Sequence, residues 1–271
     1  MARYARAEGE FYKRMEIIIL AVGFLPAIIS EAITKSMTPL AWVCVVGAGI
    51  CAAFYLFGLA RAFYTSDFTI VYPVARSLPV VFIAVIDVAR GRYLSSLGWI
   101  GIILVAVGCM LTPLKGFGDF HLGNYLNKTS LWMVLAAFGT VGYTFLDKVS
   151  AEVVQAGPDT AARYGYFYFA VSFFPYFLLL KTVKKSSANA KQTGWILPAF
   201  GALFSFGAYW LILWAYQLSP YASYIVAFRQ FSIVIGAILA FVIYKEQGVA
   251  VRLMGASLIV CGLIFITGWG K

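Results

Sequence analysis

Apolar residues run along this chain in long, nearly unbroken stretches, and the polar residues between them are confined to short gaps. The runs fall at roughly 15–34, 42–64, 68–89, 97–114, 130–154, 162–181, 195–218, 221–244 and 250–269. Each is near the ~20 residues that a helix needs to cross the hydrocarbon core of a bilayer. The pattern therefore predicts nine transmembrane helices. The two longest gaps, 115–129 and 182–194, are rich in Gly, Ser, Asn and Lys, as loops are. None of the gaps has room for a soluble domain.

The runs repeat. Arg76 and Arg229 are 153 residues apart, and the same shift lays Trp42 on Trp195, Ala62 on Ala215, Phe63 on Tyr216, Ser66 on Ser219 and Ala84 on Ala237. A shift of 154 brings Gly101 onto Gly255 and Gly108 onto Gly262, and a shift of 149 brings Arg14 onto Arg163 and Pro26 onto Pro175. The first repeat is then 1–114 with four helices, 115–129 connects, and 130–271 is the second repeat with five. The partner of the run at 130–154 would begin before Met1. The fold class expected is all-α and polytopic: nine transmembrane helices, a 4+5 truncated version of a 5+5 inverted repeat. The inversion follows from the odd number of spans per unit, which makes the two copies cross in opposite senses.

Composition agrees. The chain of 271 residues is 62% hydrophobic and 12% charged, more apolar than a soluble domain can cover. The apolar run at 15–33 follows a charged segment but is long for a signal peptide and lacks a clear cleavage site, so it is read as a retained span. The net charge of +10 sits in short connections between spans, which points to anionic lipid headgroups rather than nucleic acid. Cys44, Cys51, Cys109 and Cys261 lie in apolar runs and His121 in a loop, so no metal site and no cofactor is expected.

Candidate chemistry lies where polar groups interrupt the runs. Arg76 stands in the middle of 68–88, and Arg229 at a similar depth in its own run, followed by Gln230. A charge at such depth costs about 2.5–3.5 kcal/mol on insertion scales. Tyr72, Pro73, Val80 and Ile83 share the face of Arg76 on a helix. One reading has both arginines line a cavity and hold an anionic group of a solute. The other has Arg76 neutralised by Asp87, by Asp147 or by carbonyls freed at Pro73. Asp147 and Lys148, one turn after Tyr143, either reach a cavity or pair at the interface. Tyr209 and Trp210 lie too deep for an interfacial belt, and either line a cavity or pack. Gly47, Gly49, Gly101, Gly108, Gly201, Gly207, Gly255 and Gly262 offer surfaces for close helix approach. Arg61 could pair with Asp67. No nucleophile–base set, metalloprotease motif or phosphate-binding glycine loop is present, so the chain is read as neither an enzyme nor an ATP-driven pump.

Five stretches carry a family likeness. VYPVARSLPVVFIA, followed after a short loop by GWIGIILVAVGCML, resembles the first half of an EamA-domain protein of the drug/metabolite transporter superfamily. LILWAYQLSPYASYIVAFRQFSIVIGAILAFVIYKEQ with LMGASLIVCGLIFI resembles the second half, and GYTFLDK its opening. The resemblance implies ten helices in two inverted repeats, a central cavity lined by the spans of Arg76, Tyr209 and Arg229, and alternating access for small metabolites such as amino acids, nucleobases, sugars or drugs. Two features depart from the family: its first helix has no counterpart here, and Arg90-Gly91-Arg92 stands where an acidic residue is usual, whereas Lys245-Glu246 keeps one.

One side of the membrane collects twelve lysines and arginines, from Arg3 to Arg252, and the other six, from Lys35 to Lys271. The positive-inside rule then sets the N-terminus in and the C-terminus out, against the family's usual arrangement, which is preferred here. The expectation is a secondary transporter, an exporter of small organic metabolites in a prokaryotic cytoplasmic membrane. Its partners are a small-molecule substrate, membrane lipids and a proton or other coupling ion, with a homodimer open. The alternatives are a membrane-embedded lipid-modifying enzyme and a non-transporting accessory subunit.

Overall fold

A computed structural model describes residues 8–65, 68–114, 116, 128–181, 194–244 and 249–270. Side chains at 8–9, 63–74, 128–130, 240–244 and 249 lie outside what it describes, as do His121 and the pair Lys245-Glu246. The readings placed on Tyr72, Pro73, Asp67 and the 115–129 connection therefore fall outside the described residues.

The described residues are helical, with no strand among them. The helices are α1 (Glu8–Thr34), α2 (Pro39–Thr65), α3 (Phe68–Ala89), α4 (Ser96–Leu111), α5 (Lys128–Ala151), α6 (Pro158–Lys181), α7 (Ile196–Leu218), α8 (Ala222–Arg229), α9 (Phe231–Tyr244) and α10 (Val249–Trp269). Five stretches are long and apolar enough to cross a membrane: Glu10–Thr34, Pro39–Ala62, Ile196–Leu218, Ala222–Leu239 and Ala250–Trp269. The helix α4 is apolar but shorter. Leu25, Ile29 and Ile33 on α1 and Ile196, Phe200, Leu203 and Phe204 on α7 point outward. Such apolar faces suit lipid, and helices leave no backbone group unpaired there. The chain is a multi-pass membrane protein.

The helices gather into two compact units. The first holds residues 1–64 and 138–220, hence α1, α2, most of α5, α6 and α7. The second holds 65–137 and 221–271, hence α3, α4, α8, α9 and α10. Each unit draws on both halves of the sequence. The units are a division by contact and the repeats a division by residue pattern, so one does not test the other.

In the first unit α1 packs on α6 and α7. Where α1 ends, Glu31 is buried and ion-paired with the buried Arg163 of α6 at 3.2 Å. Glu31 also accepts from the Ser36 hydroxyl (2.6 Å) and the Met37 backbone N–H (2.8 Å), and Arg163 donates to Ser30, Ser36 and Thr160. This network fixes the turn between α1 and α2 against the start of α6.

In the second unit α4 and α10 touch backbone to backbone. A Cβ at Gly101 would stand 2.7 Å from the carbonyl oxygen of Gly262, and one at Gly108 would stand 2.6 Å from that of Gly255. No side chain fits at those distances, so the small residues expected there are required. Under the 154-residue shift the two contacts exchange places, as reciprocal contacts about a two-fold axis do. Gly47, Gly49 and Gly201 are also close-packed, against Leu146, Val171 and Phe11. Gly207 is not: nothing among the described residues lies within 4 Å of its Cβ position, which corrects the packing role expected for it. One hydroxyl ties the ends of the pair together. Ser95 caps α4 by accepting from the Gly98 N–H (3.0 Å) and donates to the Trp269 carbonyl at the end of α10 (2.6 Å).

The single run expected over 221–244 is in fact broken at Gln230, and the break has a local cause. The backbone N–H of Gln230 bonds to Ala227, three residues back, rather than to Val226, four back. The Gln230 side-chain amide takes the Val226 carbonyl instead, at 3.0 Å. Ser232 then donates its hydroxyl to the Arg229 carbonyl and Ile233 its N–H to that of Gln230. Side chains thus satisfy the acceptors that a regular helix would have used.

Candidate functional site

The first unit brings three of the sequence candidates together. Tyr143 and Asp147 sit one turn apart on α5, so they share a face. Tyr164 and Tyr168 do the same on α6, and α7 adds Tyr209. Asp147 is 1% exposed, and its two oxygens each receive a tyrosine hydroxyl: Tyr164 at 3.0 Å and Tyr209 at 2.5 Å. The rings of Tyr168 and Tyr209 lie 4.4 Å apart, with Tyr143 edge-on to both at 6.0 and 6.3 Å, and Tyr55 of α2 edge-on to Tyr143. A carboxylate inside a membrane protein is thereby enclosed by aromatic faces and by charge-assisted hydrogen bonds.

The interfacial pairing weighed for Asp147 and Lys148 gives way to separate roles. Lys148 is buried, and its ammonium donates to the carbonyls of Tyr216 (2.9 Å) and Ser219 (2.7 Å) at the end of α7, with Glu152 at 3.2 Å. A cation on the last carbonyls of a helix complements its dipole and satisfies its unmade acceptors. Asp147 faces inward. Trp210 is one residue from Tyr209, hence on another face of α7. Its indole N–H donates to the Pro158 carbonyl at the start of α6 (2.6 Å), a packing role rather than a place beside Asp147.

The second unit holds the arginines. Arg229 ends α8 at the break, Arg76 lies on α3, and α3 packs against α8. Both side chains are half-buried. Asp87 lies eleven residues beyond Arg76 on one helix, about 16 Å along its axis at 1.5 Å per residue. The neutralising pair weighed for Arg76 with Asp87 is therefore out of reach along α3. Asp87 instead accepts from the backbone N–H of Ser223 (2.8 Å) in the first turn of α8, where a negative charge is favourable. Gln230 is buried, and among the described residues its side-chain amide oxygen has no hydrogen-bond partner. Arg61 lies over the Phe57 ring, at 5.9 Å from its centroid.

Sequence reading passed over three buried polar groups: Glu16, Tyr164 and the Glu31–Arg163 pair. Glu16 fell at the start of the apolar run read over 15–34 and was not singled out there. Tyr164 was hidden by the density of aromatics, although its spacing to Tyr168 was the available signal. Among the described residues, no three His, Cys, Asp or Glu side chains come together as a metal site.

Residues 127–268 match the model of the EamA-like transporter family, just over half of the chain. The chain belongs to that family. The match spans α5 through the greater part of α10. No curated protein shows a significant match to the chain. EamA proteins are membrane transporters of the drug/metabolite superfamily, and the buried polar groups of α5–α8 lie within the matched span.

Proposed function

We propose that this EamA protein is a secondary transporter that exports small organic metabolites across the cytoplasmic membrane of a prokaryote by alternating access. The observation that carries the reading is Asp147. It is a carboxylate buried among the helices of a multi-pass membrane protein, one turn before the end of α5, and ionisable groups buried in such proteins at an energetic cost mark solute and ion paths. The tyrosines around it present ring faces and hydroxyls, the chemistry that receives a cationic or hydroxyl-bearing part of a solute. In the second unit, the helix break at Gln230 supports the same reading, because discontinuous helices are where carriers place their binding groups. There Arg76 and Arg229 are our candidates for holding an anionic group, with Gln230 beside them as a further solute contact. Tyr72 of α3 belongs to the same proposal.

The test begins with thermal stabilisation of the purified chain by amino acids, nucleobases and sugars. Counterflow of each stabilising solute in proteoliposomes follows. Flux that is lost in Asp147→Asn and in Arg76→Ala or Arg229→Ala, with folding retained, supports the assignment. Wild-type flux in well-folded arginine variants removes the anionic role, and wild-type flux in Asp147→Asn removes the first-unit site.

A further inference from the structure

Glu16 of α1 is fully buried. It lies eight residues into its helix, about 12 Å along the axis. Its Oε1 is 2.7 Å from the hydroxyl oxygen of Ser172, in the middle of α6. Among the described residues its Oε2 has no hydrogen-bond partner. An ionised carboxylate with one bare oxygen is among the costliest groups to bury, and a neutral carboxyl far less so.

The hydrogen atoms point the same way. The Ser172 oxygen is also 3.1 Å from the carbonyl of Phe169, an acceptor that cannot donate. A serine has one hydrogen to give. If Ser172 gives it to Phe169, its contact with Glu16 needs a proton on Glu16, which the carboxyl donates to the serine oxygen. If Glu16 is ionised, Ser172 turns to it and the Phe169 carbonyl keeps only the backbone N–H of the α6 ladder. The two contacts are satisfied together only when Glu16 is protonated.

We propose that Glu16 is a proton-binding site in the first unit and that Ser172 turns with its protonation. The ligand is a single proton, taken up as the serine hydrogen swings to Phe169 and released as it swings back. The groups around it leave it isolated. On α1, Tyr12 and Lys13 are about one turn away, and Lys13 is ion-paired with Glu10 at 3.2 Å. On α6, Tyr168 and Tyr176 flank Ser172 by a turn. On α7 the titratable Tyr209 donates to Asp147, and the part of α7 near Gly201, against which Phe11 and Met15 pack, has no ionisable residue. That the proton drives transport rests on the reading given above, but that Glu16 holds it does not.

The two are tested separately. Infrared spectra of the full chain in lipid nanodiscs, in H2O and D2O, report protonation directly. At neutral pH the wild type is expected to show the carbonyl stretch of a neutral carboxyl that Glu16→Gln lacks, and this band disappears reversibly in alkali. Ser172→Ala is expected to keep the band at a higher frequency, having lost its hydrogen-bond partner, and this variant serves if Glu16→Gln folds poorly. No difference between wild type and Glu16→Gln, or a band unmoved by Ser172→Ala, overturns the proposal. In proteoliposomes, flux of a solute found in the screen is expected to follow an imposed pH gradient in the wild type and to ignore it in Glu16→Gln. Flux indifferent to that gradient in the wild type overturns the coupling role. The absence of any transported solute overturns the transport reading, while the infrared result still decides Glu16.

Discussion

The hydroxyl of Tyr209 lies 2.5 Å from Oδ2 of Asp147, and the hydroxyl of Tyr164 lies 3.0 Å from Oδ1. Two helices thus donate to one carboxylate on a third. Tyr209→Phe keeps the ring and removes the donor, leaving a buried charged oxygen one hydrogen bond short. The expected cost is about 1–3 kcal/mol. Thermal unfolding of the purified chain in detergent measures it. Tyr164→Phe is expected to behave alike, and the double variant to lose less than the sum if the two donors act on one group.

The Glu31–Arg163 pair is a purely structural counterpart. Both side chains are buried, so Arg163→Ala leaves Glu31 a buried charge without its cation, and Glu31→Ala leaves Arg163 only the exposed Asp159 carboxylate at 3.1 Å. Glu31→Ala is expected to destabilise by about 3–5 kcal/mol, with Arg163→Ala similar. Replacing both by apolar residues of like volume is expected to recover much of the loss. Unfolding temperature reads all three, and a double variant as unstable as either single one would contradict the account.

At the α4–α10 crossing, Gly108→Val places atoms where the Gly255 carbonyl already stands. Overpacking of this kind costs about 1–3 kcal/mol, and more where backbone must move. Gly207→Ala meets open space and is expected to be neutral or stabilising by up to about 1 kcal/mol through helix propensity. The two variants, compared by unfolding temperature, separate packing glycines from incidental ones.

Gln230→Leu removes the side chain that takes the Val226 carbonyl. The backbone N–H of residue 230 is then expected to take its place, closing the break into one helix. Slower hydrogen exchange at residues 230–233 reports this, together with reduced flux in the counterflow assay. Unchanged exchange would show that the break has another cause.

Much of the fold was legible because long apolar runs leave few alternatives. The ends of α2, α3, α7 and α10 fall within three residues of the runs read from sequence. Gly101, Gly108, Gly255 and Gly262 were legible as well, since glycine in an apolar run has few uses besides close approach. The break at Gln230 was not. It has no proline or glycine, and it depends on where one glutamine amide points. Tyr143, Asp147 and Tyr209 were singled out as separate residues, but that they meet was hidden, because they come from α5 and α7, which are distant in sequence. The settings of Lys148 and Trp210 were hidden for the same reason: the carbonyls they bind belong to other helices and leave no mark near either residue.

The reciprocal glycine contacts limit how the second unit can change shape. With α4 and α10 interlocked at two heights and joined at one end through Ser95, neither can ratchet past the other by a turn without driving a side chain into a main-chain oxygen. The pair must travel as one lever. Bending within this unit falls instead to the joint between α8 and α9, where acceptors already held by side chains can change partners without stranding a backbone group in lipid.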